Sequence, residues 1–89
     1  MLPAYPQRRP ELLSERAGRE TLVYGSGQGA VHALNPTASL IWDLCDGAHS
    51  LAEIEQAVRL AFAVPTERDL AADVRATLAE FQSKGLLLG

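Results

Sequence analysis

Apolar positions fall along this chain in two rhythms, and the change between them divides it. Up to Leu34 they come in short runs of strand-prone types. Glu11 to Arg16 is a weak strand, with Leu12 and Leu13 its only apolar members, and Ala17-Gly18-Arg19 follows as a turn. Glu20 to Tyr24 is a stronger strand, because Thr21, Leu22, Val23 and Tyr24 all favour the pleated surface. Gly25-Ser26-Gly27-Gln28-Gly29 reads as a hairpin loop leading into a third strand, Ala30 to Leu34. Alternation places Ala30, His32 and Leu34 on one face of that strand, and Val31 and Ala33 on the other.

After Leu34 the spacing becomes helical. Asn35 can cap a helix through its side-chain oxygen, and Pro36 fits the first helical position, where an N–H is not needed. The helix runs from Thr37 to Cys45, with Leu40, Ile41, Leu44 and Cys45 on one face, and a turn closes it at Asp46-Gly47. Ser50 and Glu53 have the spacing of a capping box for a second helix reaching Phe62. Its stripe is Leu51, Ile54, Ala57, Val58, Ala61 and Phe62; Leu60 falls outside it and is expected to touch another element. Thr66 is the expected cap of a third helix, with Glu67 and Asp69 in its first turn and Gly85 as its stop. Leu70, Val74, Leu78 and Phe81 form its apolar stripe; Ala72, Ala76 and Ala79, on the opposite side, are read as helix formers. Leu86 to Leu88 should pack back or add a strand end. Strands followed by helices imply an α+β fold with a three-stranded antiparallel meander, β-β-β-α-α-α.

At 89 residues the chain is one domain, residues 11–89, with Met1 to Pro10 expected as an extended, partly disordered lead-in because of Pro3, Pro6 and Pro10. A net charge of −3 argues against a nucleic-acid partner. The uncharged run from Thr21 to Trp42 is long enough to span a bilayer, but Gly25, Gln28, His32, Asn35 and Pro36 make it too polar and broken, so no membrane partner is expected. No signal peptide is visible, and a cytoplasmic location is expected. The lone cysteine, Cys45, excludes an internal disulfide framework and reads as a small buried hydrophobe.

The residues needed for catalysis do not converge. His32 and His49 lie on a strand and in a turn, Cys45 has no histidine partner, and Asp43 and Asp46 lack calcium-loop spacing, so no catalytic residue, metal site or cofactor is expected. The glycine loop lacks a following Gly-Lys-Ser/Thr and leads into a strand, which excludes a phosphate cradle. More informative is the third strand. If the sheet follows chain order it is an edge, and Ala30 to Leu34 contains no Lys, Asp, Glu or Pro to defend it. Two explanations are open: a helix covers the edge, or the edge is left free for an extended peptide to add as a further strand.

The sequence LNPTASLIWDLCDG, followed by SLAEIEQAV and ending in DVRATLAEFQSKGLL, resembles the PqqD-like family, which includes the peptide chaperone of pyrroloquinoline quinone synthesis and related recognition elements for ribosomally made precursor peptides. The resemblance covers roughly Leu12 to Leu88. It implies a winged-helix-like fold and non-catalytic binding of a leader peptide as a strand beside the third strand and against the third helix. Carried onto this chain, the peptide-binding residues are Val31, His32, Ala33 and Leu34 on the strand, and Leu70, Asp73, Val74, Thr77, Leu78 and Phe81 on the helix, with Asp73 and Thr77 the expected polar contacts. The implied partners are the precursor peptide and a processing enzyme, a lasso-peptide leader peptidase in preference to a radical-SAM enzyme of the quinone pathway. The similar topology of winged-helix DNA-binding domains is opposed by the acidic charge, and by Asp69, Asp73 and Glu80 offsetting Arg75 and Lys84.

Overall fold

A computed structural model describes residues 1–25 and 29–88, in the order β1 (Leu13–Ala17), β2 (Glu20–Tyr24), β3 (Val31–Leu34), α1 (Pro36–Leu44), α2 (Leu51–Ala61) and α3 (Leu70–Ser83). This is the α+β arrangement expected, a three-stranded antiparallel sheet followed by three helices, with sheet order β1-β2-β3. The first strand starts two residues later than predicted, because Leu12 packs against the core while Leu13 to Ala17 pair with Tyr24 to Glu20. Gly18 takes φ +64° in the turn between β1 and β2, a conformation that suits glycine. Of the predicted glycine loop, residues 26–28 lie outside the described residues; the hairpin is closed by Gly25 N–H donating to the Ala30 carbonyl at 2.8 Å.

Each helix begins where a side chain satisfies its free N–H groups. Asn35 accepts from Ala38 N–H at 2.8 Å, with Pro36 in the first turn. Ser50 and Glu53 form the reciprocal capping box. The third cap is Asp69, which accepts from Ala72 N–H at 3.2 Å; it is not Thr66. Pro65 to Arg68 form a turn instead, with Arg68 N–H bonded to the Pro65 carbonyl, and the helix starts where Leu70 enters the core. At its end Gly85, φ +73°, donates to the Gln82 carbonyl and Leu86 N–H to that of Phe81, a Schellman closure.

The core lies between the inner sheet face and the three helices. Val23 and Leu34 come from the sheet, Ile54 and Val58 from α2, and Leu70, Val74, Leu78 and Phe81 from α3. On α1 the buried residues are Ser39, Ile41 and Trp42, followed by Cys45; Leu40 and Leu44, expected to hold the helix, are half-buried. Trp42 meets Phe81 edge to face, centroids 5.5 Å apart, an arrangement that adds about 1 kcal/mol beyond area burial. Leu60 touches no core; it is 73% exposed. Ala72, Ala76 and Ala79 are exposed, as helix formers on a solvated face.

The N-terminal segment departs from the partly disordered arm expected of its prolines. Pro6 is buried, and residues 6 to 9 run between the α1–α2 turn and the C-terminal tail. Arg8 N–H donates to Cys45 O, Arg9 N–H to Leu86 O, Gly47 N–H to Pro6 O and Leu88 N–H to Gln7 O. The Arg8 guanidinium donates to the carbonyls of Trp42 (2.6 Å) and Asp43 (2.8 Å) and lies 5.9 Å from the Trp42 ring. Because α1 has no basic residue in its last turn, Arg8 supplies the positive charge at that end. Leu86 and Leu87 are buried beneath this strap.

Arg8→Leu should therefore lower unfolding free energy in urea by about 2 kcal/mol, since a charged donor to two helix-end carbonyls is lost, with Arg8→Lys recovering only part of it. Burial pushes the Cys45 thiol up to about 12. The folded protein should resist iodoacetamide at a pH of about 8.5, where an unfolded cysteine is half thiolate. The stability gained by keeping the thiol neutral is fully present below the unfolded thiol's ordinary value. It is lost as pH rises toward the folded one, so unfolding should become easier from pH about 9 upward.

Candidate peptide-binding edge and groove

β3 is the edge of the sheet, and its hydrogen-bonding pattern fixes which groups face outward. Its partners on β2 are Tyr24 for Val31, Val23 for His32, Leu22 for Ala33 and Thr21 for Leu34. Gly25 bonds directly to Ala30, so the alternation of an antiparallel ladder turns His32 and Leu34 toward β2. The N–H and C=O groups of Val31 and Ala33 point the other way. Among the described residues no backbone group bonds to them from that side. The side chains alternate in the same way: Val31 and Ala33 are exposed on the outer face, His32 is half-buried, and Leu34 is buried on the helix side. Of the two explanations for an undefended edge, cover by a helix is the one the geometry does not support.

No Cα of β3 lies within 8 Å of one in α3, although both approach α1. The space between them is a groove of about 210 Å³ whose floor is the start of α1. Ala33 and Leu34 form one side, Asn35, Thr37 and Ala38 the floor, and Thr77, Glu80, Phe81 and Lys84 the other side, with Leu86 at the end. Two ion pairs border α3: Arg68 with Asp73 at 2.7 Å, and Lys84 with Glu80 at 2.8 Å. The lysine holds the Glu80 carboxyl below the usual carboxylate range. The groove thus combines a largely polar floor with the apolar side chains of Leu34, Phe81 and Leu86, and the Lys84–Glu80 pair lies along one side, a mixed lining suited to an extended chain.

Of the residues predicted from sequence, Ala33, Leu34, Thr77 and Phe81 meet in this groove, and Val31 and His32 lie on the strand leading to it. Leu70 and Asp73 line a neighbouring depression farther along α3. Val74 (2% exposed) and Leu78 (0%) are turned into the core and do not line this groove. Asp73 is engaged by Arg68, and the Thr77 hydroxyl donates to the Asp73 carbonyl at 3.1 Å. Sequence reasoning missed the floor. Asn35, Thr37 and Ala38 read as a helix start; the signal was their position directly after the edge strand, which carries the first turn of α1 beneath its end.

A wider cavity of about 330 Å³ lies at the opposite end of α1, between the N-terminal strap, β1, Trp42 and Cys45. None of its lining residues lies on β3 or α3. Among the described residues no group of three or more His, Cys, Asp or Glu side chains is placed to hold a metal ion, and no helix is long and apolar enough to cross a membrane.

A search of curated proteins finds no match. Among solved structures, TbiB1 in complex with the TbiA(beta) leader peptide superposes with a TM-score of 0.80 at 23% sequence identity, covering 93% of this chain and 95% of that one, and so shares the fold. The family model for coenzyme PQQ synthesis protein D (PqqD) matches residues 13–87, which takes in every strand and helix and both sides of the groove, and the chain belongs to the PqqD family.

Proposed function

We propose that this domain, residues 11–89, recognises the leader region of a ribosomally synthesised precursor peptide, without catalysing a reaction itself, and presents it to a processing enzyme. The observation that carries this reading is the free edge of β3. Val31 and Ala33 offer outward N–H and C=O groups at the two-residue spacing an added strand requires, beside a groove that β3 and α3 do not close. The shared fold of TbiB1, whose structure holds a leader peptide, supports leader-peptide binding. Backbone pairing supplies affinity, and the side chains that alternate inward meet Leu34, Thr37, Thr77 and Phe81. The processing enzyme in this reading is a lasso-peptide leader peptidase; the family's namesake pathway makes a radical-SAM enzyme of quinone synthesis the runner-up. A cytoplasmic location follows, since ribosomal precursors are made there.

Substitution of Val31 by proline tests the reading selectively. It removes an N–H that points away from β2 and leaves the β2–β3 ladder donors in place. Affinity for a synthetic leader peptide should fall about tenfold or more, corresponding to loss of a strand-pairing hydrogen bond and its geometry. Far-UV circular dichroism and melting should be close to those of the parent. Unchanged affinity in a folded Val31→Pro variant contradicts strand addition at β3.

A further inference from the structure

The sheet has a second open edge, at β1. Thr21 and Val23 of β2 bond to β3, so Leu22 and Tyr24 bond the other way, to their partners Glu15 and Leu13. The N–H and C=O groups of Ser14 and Arg16 therefore point outward. Among the described residues no backbone group bonds to them from that side, and no Cα of β1 lies within 8 Å of one in a helix. Beside this edge the cavity of about 330 Å³ separates β1 from the N-terminal strap, with Ser14 on one side, Arg8 and Arg9 on the other, and Trp42 and Asp46 between.

The cavity holds donors that nothing answers. Trp42 is 2% exposed, and among the described residues its indole N–H has no acceptor; that atom is not sealed in the core, so it opens on the cavity that the ring lines. A buried donor left unpaired is costly, and a bound acceptor removes the cost. The Ser14 hydroxyl is likewise unengaged among the described residues. Arg8 bonds the Trp42 and Asp43 carbonyls through one nitrogen, and no carboxylate among the described residues pairs with its charge. Arg9 reaches Glu11 at 3.6 Å across exposed surface, and Arg16, on the Ser14 face of β1, pairs with Asp43. The opposing carboxylate in the wall, Asp46, is engaged within its own turn by Ala48 N–H and by His49, each at 2.9 Å. Residues 1–19 carry four arginines against two glutamates, in a chain whose net charge is −3. This side of the molecule reverses the sign of the whole.

We propose that β1 is a second strand-accepting edge, which takes an extended acidic segment of a partner protein other than the peptide at β3. A residue opposite Ser14 shares its face of the sheet, so an aspartate or glutamate there enters the cavity and meets Trp42 N–H and the two strap arginines. The next residue on that face lies opposite Arg16, where a second acid is also favoured. Backbone pairing holds the segment and the acids select it. Nothing at this edge depends on the use of β3, so the two sites load independently, and the domain can keep its peptide while docked to a partner.

A blocked peptide alternating threonine and glutamate, with glutamine and lysine versions as controls, tests this on the full chain. Trp42 is the sole tryptophan, so its emission reports what enters the cavity. The glutamate peptide should shift that emission saturably, protect the Ser14 and Arg16 amides from hydrogen exchange, and bind more weakly as salt rises. The glutamine version should bind about tenfold more weakly, as for loss of charge-assisted hydrogen bonds, and the lysine version more weakly still. Ser14→Pro removes an outward N–H and leaves the β1–β2 ladder in place, so it should lower affinity for the glutamate peptide about tenfold. Arg9→Gln, on the exposed strap, should narrow the difference between the glutamate and glutamine versions, and it carries the test should Ser14→Pro not fold. Val31→Pro should bind the glutamate peptide as the parent does. Equal binding of the peptides, absence of binding by the glutamate version, or an unmoved Trp42 emission would overturn the second edge while leaving strand addition at β3 as it stands. Protection at Val31 and Ala33 in place of Ser14 and Arg16, with binding lost in folded Val31→Pro, would assign the acidic peptide to β3 and overturn it too.

Discussion

The end of β3 is locked to the start of α1, and the arrangement of the groove depends on that lock. Ser39, fully buried, donates its hydroxyl to the Leu34 carbonyl at 3.2 Å, and its N–H bonds to the Asn35 carbonyl at 2.8 Å. The Asn35 side chain closes the first turn on Ala38, and Pro36 fixes the helical φ there. The strand cannot tilt without breaking the cap, nor can the helix start elsewhere without exposing Ile41 and Trp42. The first turn of α1 therefore lies beneath the space between β3 and α3, where it floors a cleft it also keeps from closing.

The far end of α1 is held by different means. Trp42 is sandwiched between Phe81 and the Arg8 guanidinium, which also bonds the last carbonyls of the helix. The N-terminal strap and the tail carrying Leu86 and Leu87 close that side with backbone hydrogen bonds. One helix thus has a tightly fastened C-terminal end and an N-terminal end that borders open surface. The division matches what a peptide receiver needs: a rigid scaffold behind an edge whose hydrogen-bonding groups are free.

Much of this was legible in the sequence because the signals were local and redundant. Asn35-Pro36, the Ser50–Glu53 box, the Leu70–Val74–Leu78–Phe81 stripe and Gly85 each fix one boundary or face by short-range chemistry. The failures arose where two local solutions were equally good or where the deciding contact was remote. Thr66 and Asp69 are both cap types, and only the burial of Leu70 selects the second. Trp42 and the Leu40–Leu44 side of α1 competed for the core, and contacts to Phe81 and Arg8, distant in sequence, decided in favour of Trp42. The strap of residues 6 to 9 could not be read at all, since its backbone partners are on the α1–α2 turn and the tail. The same holds for the groove. Its strand edge was visible as an absence of charge, its α3 side only as a stripe shared with the core, and its floor was mistaken for architecture alone.

The proposed strand addition at β3 is tested most directly through backbone amides. Hydrogen exchange measured residue by residue in the free protein should show His32 and Leu34 protected by β2, and Val31 and Ala33 exchanging freely. On saturation with a bound precursor peptide, Val31 and Ala33 should become protected while His32 and Leu34 change little. Protection that leaves Val31 and Ala33 exchanging as before, in a protein that demonstrably holds the peptide, would contradict the account.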